Sequence, residues 1–259
     1  MTQQEQKAAA FRALHAAPPV LVLANAWDVA SAVVVASLDC PAIATSSAGI
    51  AGVLGYPDGE RIPPGEMLDM VARIAAAVEL PVTADLEAGY GDPAATAHAA
   101  WEAGAVGLNL EDAAGPADEH VERVRAARAA VPALVINART DLYLFGQPDF
   151  EETVRRAAAY LEAGADCIFV PGVTDAETIG LLADAIPGPL NVLAMPSTPP
   201  VAELERLGVA RISVGSGLAR AALAWARQAA ASMLETGSFE PLDGAIPFAD
   251  LGELLERRL

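Results

Sequence analysis

Short apolar runs alternate with segments of helical spacing along the whole chain. The runs are rich in β-branched residues, and the segments between them repeat apolar positions every three to four residues. Helical segments begin at signals such as Asp92-Pro93 and end at glycines such as Gly104 and Gly164. Eight runs are predicted to be strands: 20–27, 42–47, 82–87, 105–112, 134–141, 167–172, 190–195 and 211–215. Clear helical segments lie between them at 66–78, 94–103, 150–163 and 201–207.

This alternation predicts one α/β domain spanning residues 1–259. Parallel strands that are buried on both faces have continuous apolar runs, and eight strand–helix units in 259 residues match a (β/α)8 TIM barrel. An open sheet of eight parallel strands is the alternative architecture.

The segment 245–259 follows the last barrel unit and has an amphipathic pattern. We expect it to form an extra C-terminal helix that buries its apolar face on its own barrel or on a neighbouring subunit, the second being our prediction. Its apolar positions are Ile246, Phe248, Leu251, Leu254 and Leu255.

The excess of acidic residues argues against two classes of binding partner, nucleic acids and anionic membranes. With 16 basic and 34 acidic residues the net charge is −18, which repels nucleic acid and anionic membranes. It also repels an anionic substrate, so such a substrate needs a local metal or arginine. The longest apolar stretch, 29–38, is about half of the roughly 20 residues that a membrane span requires. With no signal-peptide pattern and no disulfide pattern, we expect a cytoplasmic protein.

Acidic side chains gather at the carboxyl ends of the predicted strands. In a barrel these ends form the face that carries catalytic residues. Because side chains two apart on a strand share a face, Asp85 and Glu87 should point together and converge with Glu111 of the next strand. Three close carboxylates repel one another unless a cation lies among them, and oxygen ligands suit Mg²⁺ or Mn²⁺ better than zinc. The alternative is that each acid caps the helix that follows it.

Arg139 is the basic residue of this strand-end set. Its guanidinium matches the edge of a carboxylate or of an enolate, so it is expected to bind substrate. A buried salt bridge to Asp141 or Glu111 is the alternative role.

Residue types argue against two other catalytic routes. Lys7 is the only lysine and is far from any predicted strand end, which argues against a Schiff base. Cys40 and Cys167 lie towards the amino-terminal ends of their strands, away from the expected site. His120 follows the fourth strand and is a candidate proton carrier, with a helix-start or surface role as the alternative.

Five phrases of the chain resemble the isocitrate lyase/phosphoenolpyruvate mutase superfamily, and the resemblance spans nearly its full length. DLEAGYG and NARTD at this spacing are specific to that family. The phrases are NAWDVASA at 25–32, TSSAGIAGVLGYPDGE at 45–60, ADLEAGYGDP at 84–93, GLNLEDA at 107–113 and INARTD at 136–141.

The resemblance implies a Mg²⁺-dependent barrel that breaks or moves C–C or P–C bonds of small anionic 2-oxo or 2-hydroxy acids. It implies that Asp85 is the direct metal ligand and that Asp58, Glu87 and Glu111 hold the metal's waters. Asp58 and Glu111, with Arg139, are accordingly the expected catalytic residues.

The resemblance also implies roles in substrate binding and assembly. Ser46, Ser47 and Arg139 are expected to contact the substrate carboxylate and oxo group, and Trp27 to form a wall of the pocket. Family members commonly exchange the last barrel helix between subunits, so a homo-oligomer, a dimer or tetramer, is expected.

The chain departs from both named branches of the family in the loop after the fourth strand. This loop, EDAAGPADEH at 111–120, lacks the Lys-Lys-Cys-Gly-His phrase of the lyase branch and the Lys and Asn of the mutase branch. The type of reaction therefore stays open. Cleavage of a C–C bond in an oxaloacetate-like acid by a lyase or hydrolase, through a metal-stabilised enolate, is the prediction, and P–C chemistry or ligand binding without turnover are the alternatives.

Overall fold

A nearly closed barrel of nine parallel strands forms the centre of the computed structural model, which describes residues 1–16 and 18–256. The strands are β1 Leu21–Leu23, β2 Asn25–Ala26, β3 Ile43–Thr45, β4 Val82–Asp85, β5 Gly107–Glu111, β6 Val135–Arg139, β7 Cys167–Val170, β8 Leu190–Leu193 and β9 Arg211–Ser213. Neighbouring strands follow chain order from β2 to β9, and β9 pairs with β1. Because β1 and β2 are two parts of the first predicted strand, this pairing completes the barrel. The TIM barrel prediction is confirmed, and the open sheet is wrong.

Helices surround the barrel, and several of them begin at an aspartate cap. Asp28, Asp92, Asp149 and Asp175 each accept a hydrogen bond from the backbone N–H three residues later, which satisfies a free donor of the helix. The helices are α1 Gln3–Ala13, α2 Val29–Ala36, α3 Ser47–Val53, α4 Pro64–Ala77, α5 Pro93–Glu102, α6 Ala117–Ala130, α7 Phe150–Glu162, α8 Ala176–Ala185, α9 Val201–Arg206, α10 Gly217–Thr236 and α11 Phe248–Glu256. No helix in the described ranges is long and apolar enough to cross a membrane.

All eight predicted strands are present, but they end earlier than predicted. In the segment 42–47, Ser46 caps α3 and Ser47 is its first residue. In the segment 82–87, β4 ends at Asp85, and Glu87 has a φ of 51°, which lies in the left-handed region. The strand-end side chains therefore stand partly on turns and helix starts.

The core has two parts. The larger packs the outer face of the barrel against the helices. The smaller lies where α1 meets the barrel, with Phe11 of α1 packed among Leu21, Ala44 and Val135.

The last two helices leave large apolar side chains exposed. In α10 only Ala219 and Ala229 are buried, within the described part of the chain. Leu254 of α11 packs against the core, whereas Phe248 is 97% exposed. The C-terminal helix therefore exists and touches its own barrel. Its packing on a neighbouring subunit stays a prediction, and residues 257–259 lie outside the described residues.

Candidate active site

Three neighbouring strands end in charged residues. Asp85 is the last residue of β4, Glu111 of β5 and Arg139 of β6. The strand register pairs Asp85 with Asn109 and Glu111 with Arg139. Because the strands are parallel, all of these side chains lie at the carboxyl end of the barrel, as predicted.

Asp85 is held by donors from the first residue of α3 and from β5. One carboxylate oxygen accepts from the backbone N–H of Ser47 at 3.1 Å and from its hydroxyl at 2.9 Å. The other accepts from the amide of Asn109 at 3.3 Å. The Ser47 hydroxyl is also 3.4 Å from a carboxylate oxygen of Asp58. Asp58 and Asp85 therefore share Ser47, which was expected to contact substrate.

Glu87 reaches the same region from a turn rather than from a strand. Its carboxylate accepts from the backbone N–H of Glu60 at 2.5 Å and from the hydroxyl of Tyr90 at 3.3 Å. Burial, followed by repulsion from Asp58, raises its pKa to about 7. Strand alternation predicted that Asp85 and Glu87 share one face of a strand. That prediction is wrong, because β4 ends at Asp85 and Glu87 lies in the turn that follows.

The acids of this region, Asp58, Asp85, Glu87 and Glu111, form what we call the acidic cluster. Burial and the charge of Asp85 raise the pKa of Asp58. Burial raises the pKa of Glu111 to about 8, although Arg139 opposes the rise. Burial is the larger cause of these shifts, and repulsion between neighbouring acids adds to it.

The cluster fits a divalent cation that is held largely through water. In residues 1–16 and 18–256, no group of three or more His, Cys, Asp or Glu side chains is arranged to hold a metal directly. Direct convergence of Asp85, Glu87 and Glu111 on one ion is therefore not observed. Mg²⁺ keeps several waters and usually takes one or two carboxylates, so a set of oxygen donors with excess negative charge suits it.

Arg139 makes two ion pairs at the edge of this cluster. Its Nη1 lies 2.9 Å from a carboxylate oxygen of Glu111, and its Nε lies 2.5 Å from one of Asp141. Although burial opposes it, these two acids raise the pKa of Arg139 above its ordinary value. The salt bridges considered from the sequence are therefore both present. In the described structure they occupy Nε and Nη1, and Nη2 has no hydrogen-bond partner.

A buried carboxylate that the sequence analysis missed, Asp112, acts on Arg139 through its partner Asp141. Asp112 accepts from the backbone N–H of Asp141 at 2.9 Å, from Arg156 at 2.8 Å and from Tyr160 at 2.8 Å. Burial alone would raise the pKa of Asp112, but these donors lower it. A charged Asp112 therefore fixes the backbone that carries the Asp141 partner of Arg139.

Ser46 and Trp27, which were expected to contact substrate, make no hydrogen bond to the acidic cluster in the described residues. The Ser46 hydroxyl accepts from the backbone N–H of Gly49 at 3.2 Å and so caps α3. Trp27 lines two cavities of about 610 and 370 Å³ beside α10. Their contact with a substrate stays a prediction.

His120 and the two cysteines make no hydrogen bond or ion pair with the acidic cluster in the described residues. His120 is buried in α6, edge-on to Tyr160 with ring centroids 4.5 Å apart, and burial lowers its pKa to about 4. Cys40 precedes β3 and Cys167 begins β7, so both lie at amino-terminal strand ends, as predicted.

A family model and a solved structure both match this chain over most of its length. The family model described as phosphoenolpyruvate phosphomutase matches residues 11–234. A crystal structure from Burkholderia cenocepacia, described as that of a candidate lyase or mutase, is 41% identical. It has a TM-score of 0.91 and covers 99% of this chain and 98% of its own.

Two relatives have named activities. Oxaloacetate decarboxylase from Pseudomonas aeruginosa is 34% identical over 222 residues, which are 78% of this chain and 76% of that protein. The structure of a phosphonopyruvate hydrolase in complex with oxalate and Mg²⁺ is 25% identical. It has a TM-score of 0.85 and covers 96% of this chain and 95% of its own.

Proposed function

The chain belongs to the isocitrate lyase/phosphoenolpyruvate mutase superfamily, and we propose that it is a Mg²⁺-dependent lyase that cleaves a C–C bond of a small 2-oxo or 2-hydroxy acid. An oxaloacetate-like acid is the proposed substrate. The observation that carries the proposal is the placement of Arg139 beside the buried acidic cluster at the carboxyl ends of β4, β5 and β6.

The acidic cluster supplies the proposed cation site. Asp85 would hold the ion directly, and Asp58, Glu87 and Glu111 would hold its waters; Mn²⁺ has the same preference for oxygen ligands. Bound there, the cation supplies Lewis-acid chemistry that draws electron density from the 2-oxo group. The raised pKa values of Glu87 and Glu111 support this site, because a bound cation offsets both the burial and the repulsion that raise them.

Arg139 supplies fixed positive charge for the substrate. Glu111 holds its Nη1 and Asp141 holds its Nε, so the guanidinium is oriented before substrate arrives. When an oxaloacetate-like acid loses CO₂, the electron pair of the broken C–C bond remains on the 2-oxo acid as an enolate, which then takes up one proton at carbon. The oxygen of that enolate gains negative charge as the bond breaks, and Arg139 stabilises this charge.

Similarity to an oxaloacetate decarboxylase favours C–C over P–C chemistry. The loop at 111–120 lacks the Lys and Asn that the mutase branch carries there, which also counts against P–C chemistry. Ligand binding without turnover is the remaining alternative, since the same loop carries no Cys.

We also propose that the protein works as a homo-oligomer, a dimer or tetramer. Large apolar side chains on the last two helices are exposed in the single chain, and burying them against a second subunit would remove them from water. They are Leu223, Trp225 and Leu234 of α10 and Phe248 of α11.

Product formation tests the proposal. The purified full chain is incubated with Mg²⁺ and a panel of 2-oxo diacids and phosphonopyruvate, and pyruvate is measured with and without EDTA. We expect pyruvate from a 2-oxo diacid, lost with EDTA and in Asp85→Ala but retained in Asp92→Ala, which removes only a helix cap. Pyruvate from phosphonopyruvate alone would establish P–C chemistry, and Mg²⁺-dependent binding of the diacids without product would establish a binding protein.

A further inference from the structure

An arginine lies buried inside the barrel beneath the acidic cluster. Arg211 is the first residue of β9 and is 1% exposed. Its Nη2 is 3.5 Å from the amide oxygen of Asn109 on β5. Since β5 and β9 are not neighbours in the sheet, this contact crosses the barrel interior. On its other side the guanidinium lies 5.9 Å from the ring centre of Phe11.

Arg211 has no carboxylate partner within the described ranges. It makes no ion pair there, and its Nε and Nη1 have no hydrogen-bond partner. Arg156, the other deeply buried arginine discussed above, pairs with Asp112 and Glu152. Burial lowers the pKa of Arg211 to about 10, so it is still charged at neutral pH. A buried, unpaired charge is costly, so negative charge at longer range must offset it.

The nearest such charge that the structure connects to Arg211 is Asp85. Asn109 contacts Arg211 through its amide oxygen and donates to Asp85 through its amide nitrogen at 3.3 Å. Asn137 donates to the same Asn109 oxygen at 2.8 Å, which fixes the amide between the two charges. One amide group therefore separates Arg211 from Asp85, a span of at most about 9 Å.

We propose that Arg211 is a built-in counter-charge of the acidic cluster: it balances the cluster when no cation is bound and lowers the cluster's affinity for a divalent cation. This inference rests on the proposed function, because it assumes that the cluster binds a cation. At an effective dielectric of about 20, a unit charge about 9 Å from a divalent ion changes the binding constant by roughly 500-fold, so an effect of about tenfold remains when water and mobile ions screen most of it.

The sign of the effect separates this role from a purely structural one. If Arg211 only supported Asn109 and Asp85, its loss would loosen the cluster and weaken cation binding. If Arg211 is a counter-charge, its loss removes repulsion and strengthens binding, because Asn137 still holds Asn109 in place.

The experiment measures Mn²⁺ affinity by electron paramagnetic resonance, together with the melting temperature of the metal-free protein. Arg211→Met removes the charge. Arg211→Gln also removes the charge but keeps an amide that can donate to Asn109. We expect both variants to bind Mn²⁺ about tenfold more tightly than wild type, and Arg211→Lys to bind as wild type does. Arg128→Met is the matched control, because it breaks a partly buried pair with Asp166 away from the cluster and should lower only the melting temperature.

Each outcome of the Mn²⁺ measurement either supports or overturns the counter-charge role of Arg211. Tighter binding in Arg211→Met with wild-type binding in Arg211→Lys supports the inference, and Arg211→Gln is read in the same way if Arg211→Met does not fold. Unchanged or weaker binding in the folded variants overturns the inference alone. A wild-type protein that binds no Mn²⁺ overturns both the inference and the proposed cation site.

Discussion

Raising the pH of the metal-free protein from about 6.5 to 8 should lower its stability, because Glu87 and Glu111 lose their protons there. Both have an ordinary pKa of 4.5, which the folded protein raises to about 7 and about 8. The folded state therefore holds two protons that the unfolded chain has already released. Stability falls with rising pH wherever the folded state binds more protons.

Two buried histidines have the opposite effect at lower pH. Burial lowers the pKa of His15 and His120 from 6.5 to about 4, so between these values the unfolded chain binds more protons. Their contribution to stability rises with pH in that range and offsets the fall from Glu87 and Glu111. Between about pH 6.5 and 8 the two histidines of the unfolded chain release their remaining protons, about half a proton each, which offsets about 0.8 kcal/mol of the fall, and the glutamates still set its sign.

The loss in the free energy of unfolding depends on how much of the range between about pH 6.5 and 8 each glutamate spends protonated in the folded state. A difference of one proton over one pH unit is worth about 1.4 kcal/mol. Glu111 contributes up to about pH 8 and Glu87 only to about pH 7, which gives a loss of about 2–3 kcal/mol before the histidine offset and about 1.5–2 kcal/mol after it. In a chain of this length, the melting temperature should fall by about 3–6 °C.

Thermal unfolding followed by circular dichroism in EDTA, at constant ionic strength, measures this fall. Glu111→Gln should remove most of it, because the amide carries no titrating proton. Glu119→Gln is the matched control, since Glu119 is exposed on α6 and should leave the slope unchanged. A wild-type melting temperature that stays level or rises between about pH 6.5 and 8 would refute the electrostatic account of the cluster.

Three further predictions address the metal, the arginine and the assembly. Asp85→Ala should abolish Mg²⁺ binding in calorimetry while leaving the circular dichroism spectrum unchanged, and retained binding would contradict its role as direct ligand. Arg139→Lys should lower kcat by roughly 10²–10³, because one amine cannot hold two carboxylates and an enolate together; unchanged kcat with a lower melting temperature would leave Arg139 a structural role only. Deleting the residues after Gly244 should lower the oligomeric mass measured by light scattering, and a monomeric wild type would defeat the prediction.

The barrel is predictable because its signal repeats. Each buried parallel strand has its own apolar run, and the eight runs all correspond to strands. Strand ends are harder to predict, because the apolar pattern no longer separates strand from turn once side chains leave the core. Ser47 and Glu87 are examples, one starting a helix and the other lying in a left-handed turn.

The site is predictable where its residues come from strand ends and less so where distant residues pair. Arg139 with Glu111 and Asp141 follows from adjacent strand ends. Arg156 pairs with Asp112 from 44 residues away, and Arg211 reaches Asn109 from 102 residues away. Such partners depend on helix packing and barrel closure, which local sequence patterns do not encode.

The central claim is that the acidic cluster and Arg139 together bind a divalent cation and a 2-oxo acid. A crystal of this protein soaked with Mg²⁺ and oxalate, which mimics an enolate, tests it most directly. The account predicts Mg²⁺ bound directly by Asp85, with Asp58, Glu87 and Glu111 reached through waters, and oxalate in contact with Arg139. Mg²⁺ or oxalate bound elsewhere, or absent from this cluster at saturating concentrations, would contradict it.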